Sequence, residues 1–252
     1  MRLMIVPEWF APKIDKIETK IHCLYFLECN FNCIFCSQYN RNEYVQLTEY
    51  DPESFREKVK ELIKTSSYFK LTGGEPSLQP DILEIVKIIN ECGGKVLFDT
   101  NGSVTSKTKK MIDIGLIYAL GLSLKGLDPN EAMRKSGVNN KKLCWDNVID
   151  ICNYAYEKTT VILTYVVDSS TSPEDVLQFC KKIINEEIKV NFFKINNLYG
   201  RSLPDQTLQP MKSELLLQLF ETILKTYPEL KDRLIGIPNF GAVTNRDVIL
   251  HF

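Results

Sequence analysis

Residues 68–94 read YFKLTGGEPSLQPDILEIVKIINECGG, and a change of period inside this stretch decides the fold class. YFKLT is a short run of strand type that leads straight into Gly73 and Gly74. From Asp81 to Cys92 the apolar residues Ile82, Leu83, Ile85, Val86, Ile88 and Ile89 recur at helical spacing. Gly93 and Gly94 then supply the stop signal. Strand, turn and helix make one βα unit.

The unit repeats on both sides. Upstream, CLYFLE at 23–28 is an apolar strand-type run that ends at Cys29. Downstream, KVLFDTNG reads as a strand with a turn, KTKKMIDIG as a helix with a terminal glycine, YALGLSLKG as a strand and LCWDNVIDICNYAYEK as a helix. VILTYVV, the helix PEDVLQFCKKIINEE behind Ser172 as N-cap, and the strand VNFFKIN follow. Such alternation implies a parallel sheet with right-handed crossovers. Counting from CLYFLE gives about six repeats, against the eight of a closed barrel. The expected fold is α/β, a partial (βα)6 TIM-like barrel. Residues 1–205 are expected to form the barrel core with an N-terminal extension. Residues 206–252, the helix MKSELLLQLFETILKTY and the irregular ending IPNFGAVTNRDVILHF, are expected to pack on the same domain.

Composition agrees with an enzyme-sized folded chain: 252 residues, 44% hydrophobic and 25% charged, which argues against disorder or a fibrous class. Lysine plus arginine (31) nearly balances aspartate plus glutamate (32), so no global charge points to nucleic acid or anionic lipid. The start, MRLMIVPEWFAPKIDKIETK, lacks the pattern of a signal peptide, and no apolar run is long enough for a membrane span. The eight cysteines then suggest a reduced, cytoplasmic thiol pool rather than a secreted disulfide framework.

In a parallel sheet, function collects at the carboxyl ends of the strands. Here those ends carry Cys29, Gly73 to Glu75, Asp99 to Gly102, Ser123 to Gly126 and Asn196. The first end opens CNFNCIFC, residues 29–36, with Cys29, Cys33 and Cys36 at gaps of three and two residues. Structural zinc usually takes four protein ligands, often as two separated pairs, and only His22 lies nearby. An iron–sulfur cluster with three thiolate-held irons and one left open is favoured. The alternative, buried core cysteines, sits poorly with three thiols on one short loop.

C-x3-C-x2-C with Phe35 just before the last cysteine resembles the signature of the radical S-adenosylmethionine superfamily, and GGEP at Gly73, Gly74, Glu75 and Pro76 resembles its second motif. The resemblance covers roughly residues 20–200. It implies one [4Fe–4S] cluster held by Cys29, Cys33 and Cys36, with S-adenosylmethionine chelating the open iron. It further implies reductive cleavage to methionine and a 5′-deoxyadenosyl radical that abstracts a substrate hydrogen, with the protein orienting the cofactor. A reduced flavodoxin or ferredoxin is the implied electron donor, and an open iron site implies oxygen sensitivity.

By the same resemblance, carbonyls at Gly73 and Gly74 would receive the ligand's ammonium group, and Glu75 would add charge complementarity; a plain strand-ending turn also favours Gly-Gly and Pro. Lys125, in GLSLKG, would bind the methionine carboxylate, while Ser123 stands where activases of glycyl radical enzymes carry an acid; for Lys125 the alternative is a surface lysine. Asp99, Thr100 and Asn101 resemble a polar strand end that meets the sulfonium or ribose, with an Asn-Gly turn as the alternative. Phe35 and the segment from Asn196 to Leu198 would flank adenine, with core packing the alternative for Phe35. The remaining cysteines are expected to be buried packing, and neither histidine is assigned a role.

Two enzyme readings follow. SLKGLDPNEAMRKSGVNN and the compact length resemble activases that abstract hydrogen from a protein or peptide. Tailoring enzymes acting on a ribosomal peptide, nucleoside or small metabolite share the same motifs. A non-catalytic iron–sulfur carrier or sensor is the third reading, against which GGEP and the polar strand ends argue.

Overall fold

The computed structural model describes residues 1–10, 20–39, 46–199, 203–237 and 250–251. Strand β1 (Arg2–Phe10) runs antiparallel to β2 (Lys20–Phe26) and to the short β3 (Thr48–Glu49). Helix α1 (Pro52–Ile63) follows; the Asp51 carboxylate accepts from the backbone N–H groups of Glu53 and Ser54, and Pro52 occupies the first helical position, where its missing N–H costs nothing.

The repeating part begins there. Strand β4 (Tyr68–Gly73), α2 (Ile82–Glu91), β5 (Lys95–Thr100), α3 (Thr105–Asp113) and β6 (Ala119–Leu124) lead to α4 (Pro129–Ser136). A π turn at Lys142–Asp146 then opens α5 (Asn147–Ala155), so the single helix expected at LCWDNVIDICNYAYEK is two segments. Strand β7 (Thr160–Val167), α6 (Pro173–Ile184) with Ser172 as its N-cap, β8 (Phe192–Asn197), α7 (Ser213–Thr226), β9 (Leu234–Ile237) and β10 (Leu250–His251) complete the order.

The sheet runs β10-β9-β8-β7-β6-β5-β4-β2-β1-β3. Every neighbouring pair from β2 to β9 is parallel, and β10 turns back antiparallel on β9. The expected strands from CLYFLE to VNFFKIN are therefore present as a partial barrel, extended by β9 and by antiparallel edges. The ending IPNFGAVTNRDVILHF lies mostly outside the described residues.

The two faces of the sheet differ. The outer face packs Leu24, Phe69, Phe98, Leu120, Leu163 and Phe193 under the helices in one apolar core. The inner face begins with an apolar floor of Ile21, Cys23, Tyr25, Leu97 and Ala119. Lys70 stands level with Cys23 and Leu97 of that floor, and towards the carboxyl ends the inward positions become polar: Thr72, Asp99, Ser123, Thr164, Lys194 and Asn196 alternate with the buried outward ones. That polar stretch lies at the end of the barrel where parallel sheets collect their functional groups.

Candidate active site at the carboxyl ends of the strands

The cysteine loop leaves β2 and is pinned by its neighbours as well as by its own turn, in which Cys36 N–H donates to the Cys33 carbonyl at 3.1 Å. Gly74 N–H donates to the Phe26 carbonyl at 2.5 Å and Glu75 N–H to the Glu28 carbonyl at 2.6 Å. This proximity is what requires glycine. A Cβ on Gly73, whose φ is +106°, would lie 2.4 Å from the Phe26 carbonyl oxygen, and one on Gly74 would lie 2.2 Å from that of Glu28. The glycines of GGEP thus let the turn lie against the start of the cysteine loop, a closer reason than ligand approach.

Glu75 is buried, and its carboxylate accepts from Ser77 N–H (3.0 Å), Ser77 Oγ (2.5 Å), Thr100 Oγ1 (2.6 Å) and Asn101 N–H (2.6 Å). With four donors on it, Glu75 locks the turn to the end of β5. Asn101 carries the link onward. Its Nδ2 lies 3.0 Å from Asn30 Oδ1 and 3.9 Å from Cys29 Sγ, and Asn30 Nδ2 donates to Ser103 Oγ at 3.0 Å.

The far side of the loop rests on α4. Asn32 N–H donates to the Ser136 carbonyl and Ile34 N–H to the Lys135 carbonyl, both at 3.0 Å. Beneath them Lys135 Nζ is fully buried between Glu131 (2.8 Å), Asp168 (2.9 Å) and the Tyr165 hydroxyl (3.2 Å). Sequence reasoning missed α4, Lys135, Asn30 and Ser103. Asp128 before Pro129, Glu131 in the first turn and Gly137 after Ser136 are the helix start and stop signals that would have found α4.

Cys29 is exposed, Cys33 buried and Cys36 intermediate. Burial pushes the Cys33 thiol up, and the nearby Lys125 ammonium opposes it. Among the described residues no three Cys, His, Asp or Glu side chains stand ready to hold a single metal ion. A four-iron cluster makes a different demand, because each thiolate meets its own iron. Lys125 Nζ also stands 5.6 Å from the centre of the Phe35 ring, so these two residues of the expected site meet.

Asp99 points into the barrel with Lys70 Nζ 2.7 Å from its carboxylate. A Cβ on the neighbouring Gly121 would fall 2.3 Å from Asp99 Oδ1, so the glycine makes room for the acid. Asn196 has a buried Oδ1 with no partner among the described residues. Ser123 faces inward at the end of β6. Elsewhere, Cys144, Cys152 and Cys180 are buried in the outer core, and none of the eight cysteines forms a disulfide. His22 is buried against Leu62 and Phe69.

Comparison with known proteins bears on this geometry. A family profile described as "Radical SAM superfamily" matches residues 25–183. A probable GTP 3',8-cyclase of Thermococcus kodakarensis is 30% identical over 132 residues, covering 50% of this chain and 41% of the cyclase. A putative glycyl-radical enzyme activating enzyme of Methanocaldococcus jannaschii is 25% identical over 188 residues, covering 71% and 69%. The chain spans half or less of the first two cyclases it matches, 41% and 50%. Among solved structures, Streptococcus suis SuiB superposes with a TM-score of 0.65 at 20% identity, over 83% of this chain and 46% of that one, a likeness of fold. The profile covers more than half of the chain and takes in the cysteine loop, the GGEP turn and the polar ends of β5 and β6: this protein belongs to the radical SAM superfamily.

Proposed function

We propose that Cys29, Cys33 and Cys36 hold one [4Fe–4S] cluster and that the enzyme abstracts a hydrogen atom from a substrate seated in the barrel. When bound, the cluster and S-adenosylmethionine supply reductive sulfonium cleavage and the 5′-deoxyadenosyl radical. The observation that carries the reading is the place of Asn101, whose N–H meets Glu75 at 2.6 Å and whose Nδ2 lies 3.9 Å from Cys29 Sγ, so that both motifs join in one site.

The residues present suit the group. The orphaned Asn196 Oδ1 is an acceptor, which an adenine amino group satisfies. Lys125, beside Phe35, brings positive charge to the thiolates and to a methionine carboxylate. Carbonyls of Gly73 and Gly74 would receive the ammonium group. Asp99 and Ser123 line the approach to the ribose and methionine, Asp99 with the carboxylate edge that Lys70 leaves open. A reducing cytoplasm and a reduced flavodoxin or ferredoxin fit the free thiols and the low-potential chemistry.

Two substrate classes have support. The activating-enzyme relative and the run from Ser123 to Asn140 favour a protein or peptide. The polar inner face favours a small molecule held in the lumen. The test is anaerobic reconstitution with iron and sulfide, reduction by dithionite with S-adenosylmethionine, and mass spectrometry for 5′-deoxyadenosine. About four irons per chain are expected, with both iron and product lost in Cys33→Ala. Product formation by Cys33→Ala, or iron near twice that content, would refute the assignment.

A further inference from the structure

One row below Asn196 the lumen carries Thr164 and Lys194, to which the cosubstrate site assigns nothing, beside Ser123 at the edge of that site. Strand register sets Ser123, Thr164 and Lys194 side by side on β6, β7 and β8. Adjacent strands lie about 4.8 Å apart, so two hydroxyls and an ammonium face inward over roughly 10 Å. All three residues are partly exposed to the lumen. No hydrogen bond or ion pair joins any of these side chains to another described residue. Lys70 and Asp99 already pair with each other at 2.7 Å, so Lys194 is left without a direct counter-ion among the described residues. The inward neighbours Leu97, Gly121, Ile162 and Phe192 are uncharged.

An ammonium in a concave, half-desolvated wall is unfavourable without an anion. Burial drives Lys194 down to about 8, the Lys70 charge pushes the same way, and Asp99 opposes them only in part. A lysine that stretched its amine into bulk water would keep an ordinary protonation. What relieves this row is an oxyanion: hydroxyls and an ammonium all donate, and a carboxylate or phosphate accepts from all three.

We propose that the row Ser123, Thr164 and Lys194 is a subsite for the oxyanion group of a small-molecule substrate, a carboxylate or a phosphate. The carbon that loses hydrogen then lies about 7 Å nearer the carboxyl ends, one inward position along the strand. The subsite rests on the reading that S-adenosylmethionine occupies the ends of the strands, and it deepens that reading by naming the substrate's class. Ser123 stands two residues before Lys125 on β6 and its following loop, and so joins the two sites.

The test is isothermal titration calorimetry on the full chain, cluster-reconstituted and saturated with S-adenosylmethionine, using inorganic phosphate, pyrophosphate and succinate as separate probes. We expect at least one probe to bind. Its dissociation constant should rise tenfold or more in Lys194→Gln and several-fold in Thr164→Val, recover partly in Lys194→Arg, and stay unchanged in Lys225→Gln on the exposed face of α7. Preference for phosphate or pyrophosphate names a phosphorylated substrate, and preference for succinate a carboxylated one. Circular dichroism and iron content check folding; if Lys194→Gln fails to fold, Lys194→Arg and Thr164→Val carry the comparison.

Absence of binding by every probe, or equal binding by Lys194→Gln, overturns the proposal. So does a Lys194→Gln variant that keeps the anion and loses S-adenosylmethionine, which would give the lysine to the cosubstrate. The two readings fail separately. Formation of 5′-deoxyadenosine without Lys194-dependent anion binding sinks the subsite alone, and Lys194-dependent binding in a protein that never cleaves S-adenosylmethionine sinks the proposed function alone.

Discussion

The backbone N–H of Ile34 donates to the carbonyl oxygen of Lys135 at 3.0 Å, so the middle of the cysteine loop hangs from the last turn of α4. The side chain of the same lysine ties that turn to Asp168 at the end of β7. A buried ion pair is thereby placed in series with the proposed cluster ligands.

Lys135→Met should therefore cost stability and cluster together. Removing the cation leaves Glu131 and Asp168 facing each other without compensation, a loss of about 3–5 kcal/mol for a broken buried pair. Asp168 is held below the usual carboxylate range despite its burial, by the donors of Ser170 and by Lys135. A depressed carboxylate stabilises above its unfolded value of 3.8 and loses that contribution as pH falls through the folded one. The gap between wild type and variant in urea denaturation should thus be full at neutral pH and narrow below about pH 4. Iron content after reconstitution, read where both proteins remain folded, should fall in the variant. Undiminished iron at lowered stability would separate the ion pair from the loop.

Glu75→Gln tests whether the GGEP turn acts by charge or by hydrogen bonding. An amide in that place turns an N–H towards donors from Ser77, Thr100 and Asn101, leaving at least one buried group unpaired. The expected cost is about 1–3 kcal/mol. Affinity for S-adenosylmethionine should weaken in proportion as the turn loosens from β5. Unchanged melting with lost affinity would mean that Glu75 meets the ligand itself.

Much of this barrel was legible because its strands and helices differ in period. YFKLT and VNFFKIN read as strands and became β4 and β8, and Ser172 capped α6 as expected. Helix α4 escaped because PNEAMRKS carries almost no apolar stripe; its buried residues include Lys135 and Ser136, held by contacts that lie far away in sequence. Strand β9 escaped because LIGI is four residues long and can be told from a turn only by its pairing with β8. The inward Lys70 and Lys194 were visible as polar residues inside apolar strands, but what faces them depends on register, which the sequence does not display.

Asn101→Ala should change the electronics of the cluster while leaving its ligands in place. A hydrogen bond to a ligand sulfur favours the more negative, reduced state, so its loss lowers the reduction potential. Given the 3.9 Å separation of Asn101 Nδ2 and Cys29 Sγ, a negative shift on the order of tens of millivolts is expected, a small part of the range open to such clusters. Redox titration followed by electron paramagnetic resonance reads it directly. A potential that stays put would place Cys29 outside the influence of β5.

Lys194→Met should make the ligand-free protein more stable at pH 7, the opposite of what removing a salt-bridged lysine does. Burial, with Lys70 acting in the same sense and Asp99 against it, lowers Lys194 from the ordinary 10.5 to about 8. Between those two values the unfolded chain binds more protons than the folded one, so wild-type stability climbs with rising pH across this window, and the penalty is fully present below it. One pKa unit corresponds to about 1.4 kcal/mol. Because the amine keeps some exposure, about 1–3 kcal/mol is expected in favour of the variant at pH 7. The difference should shrink towards zero by about pH 10.5, a comparison of two proteins that cancels the titration of every other group. Adding a probe anion should raise the wild type more than the variant, since the wild type binds it more tightly. Equal stability of the two proteins at pH 7 would show a solvated amine, and the row at Ser123, Thr164 and Lys194 would then have no electrostatic need of a ligand.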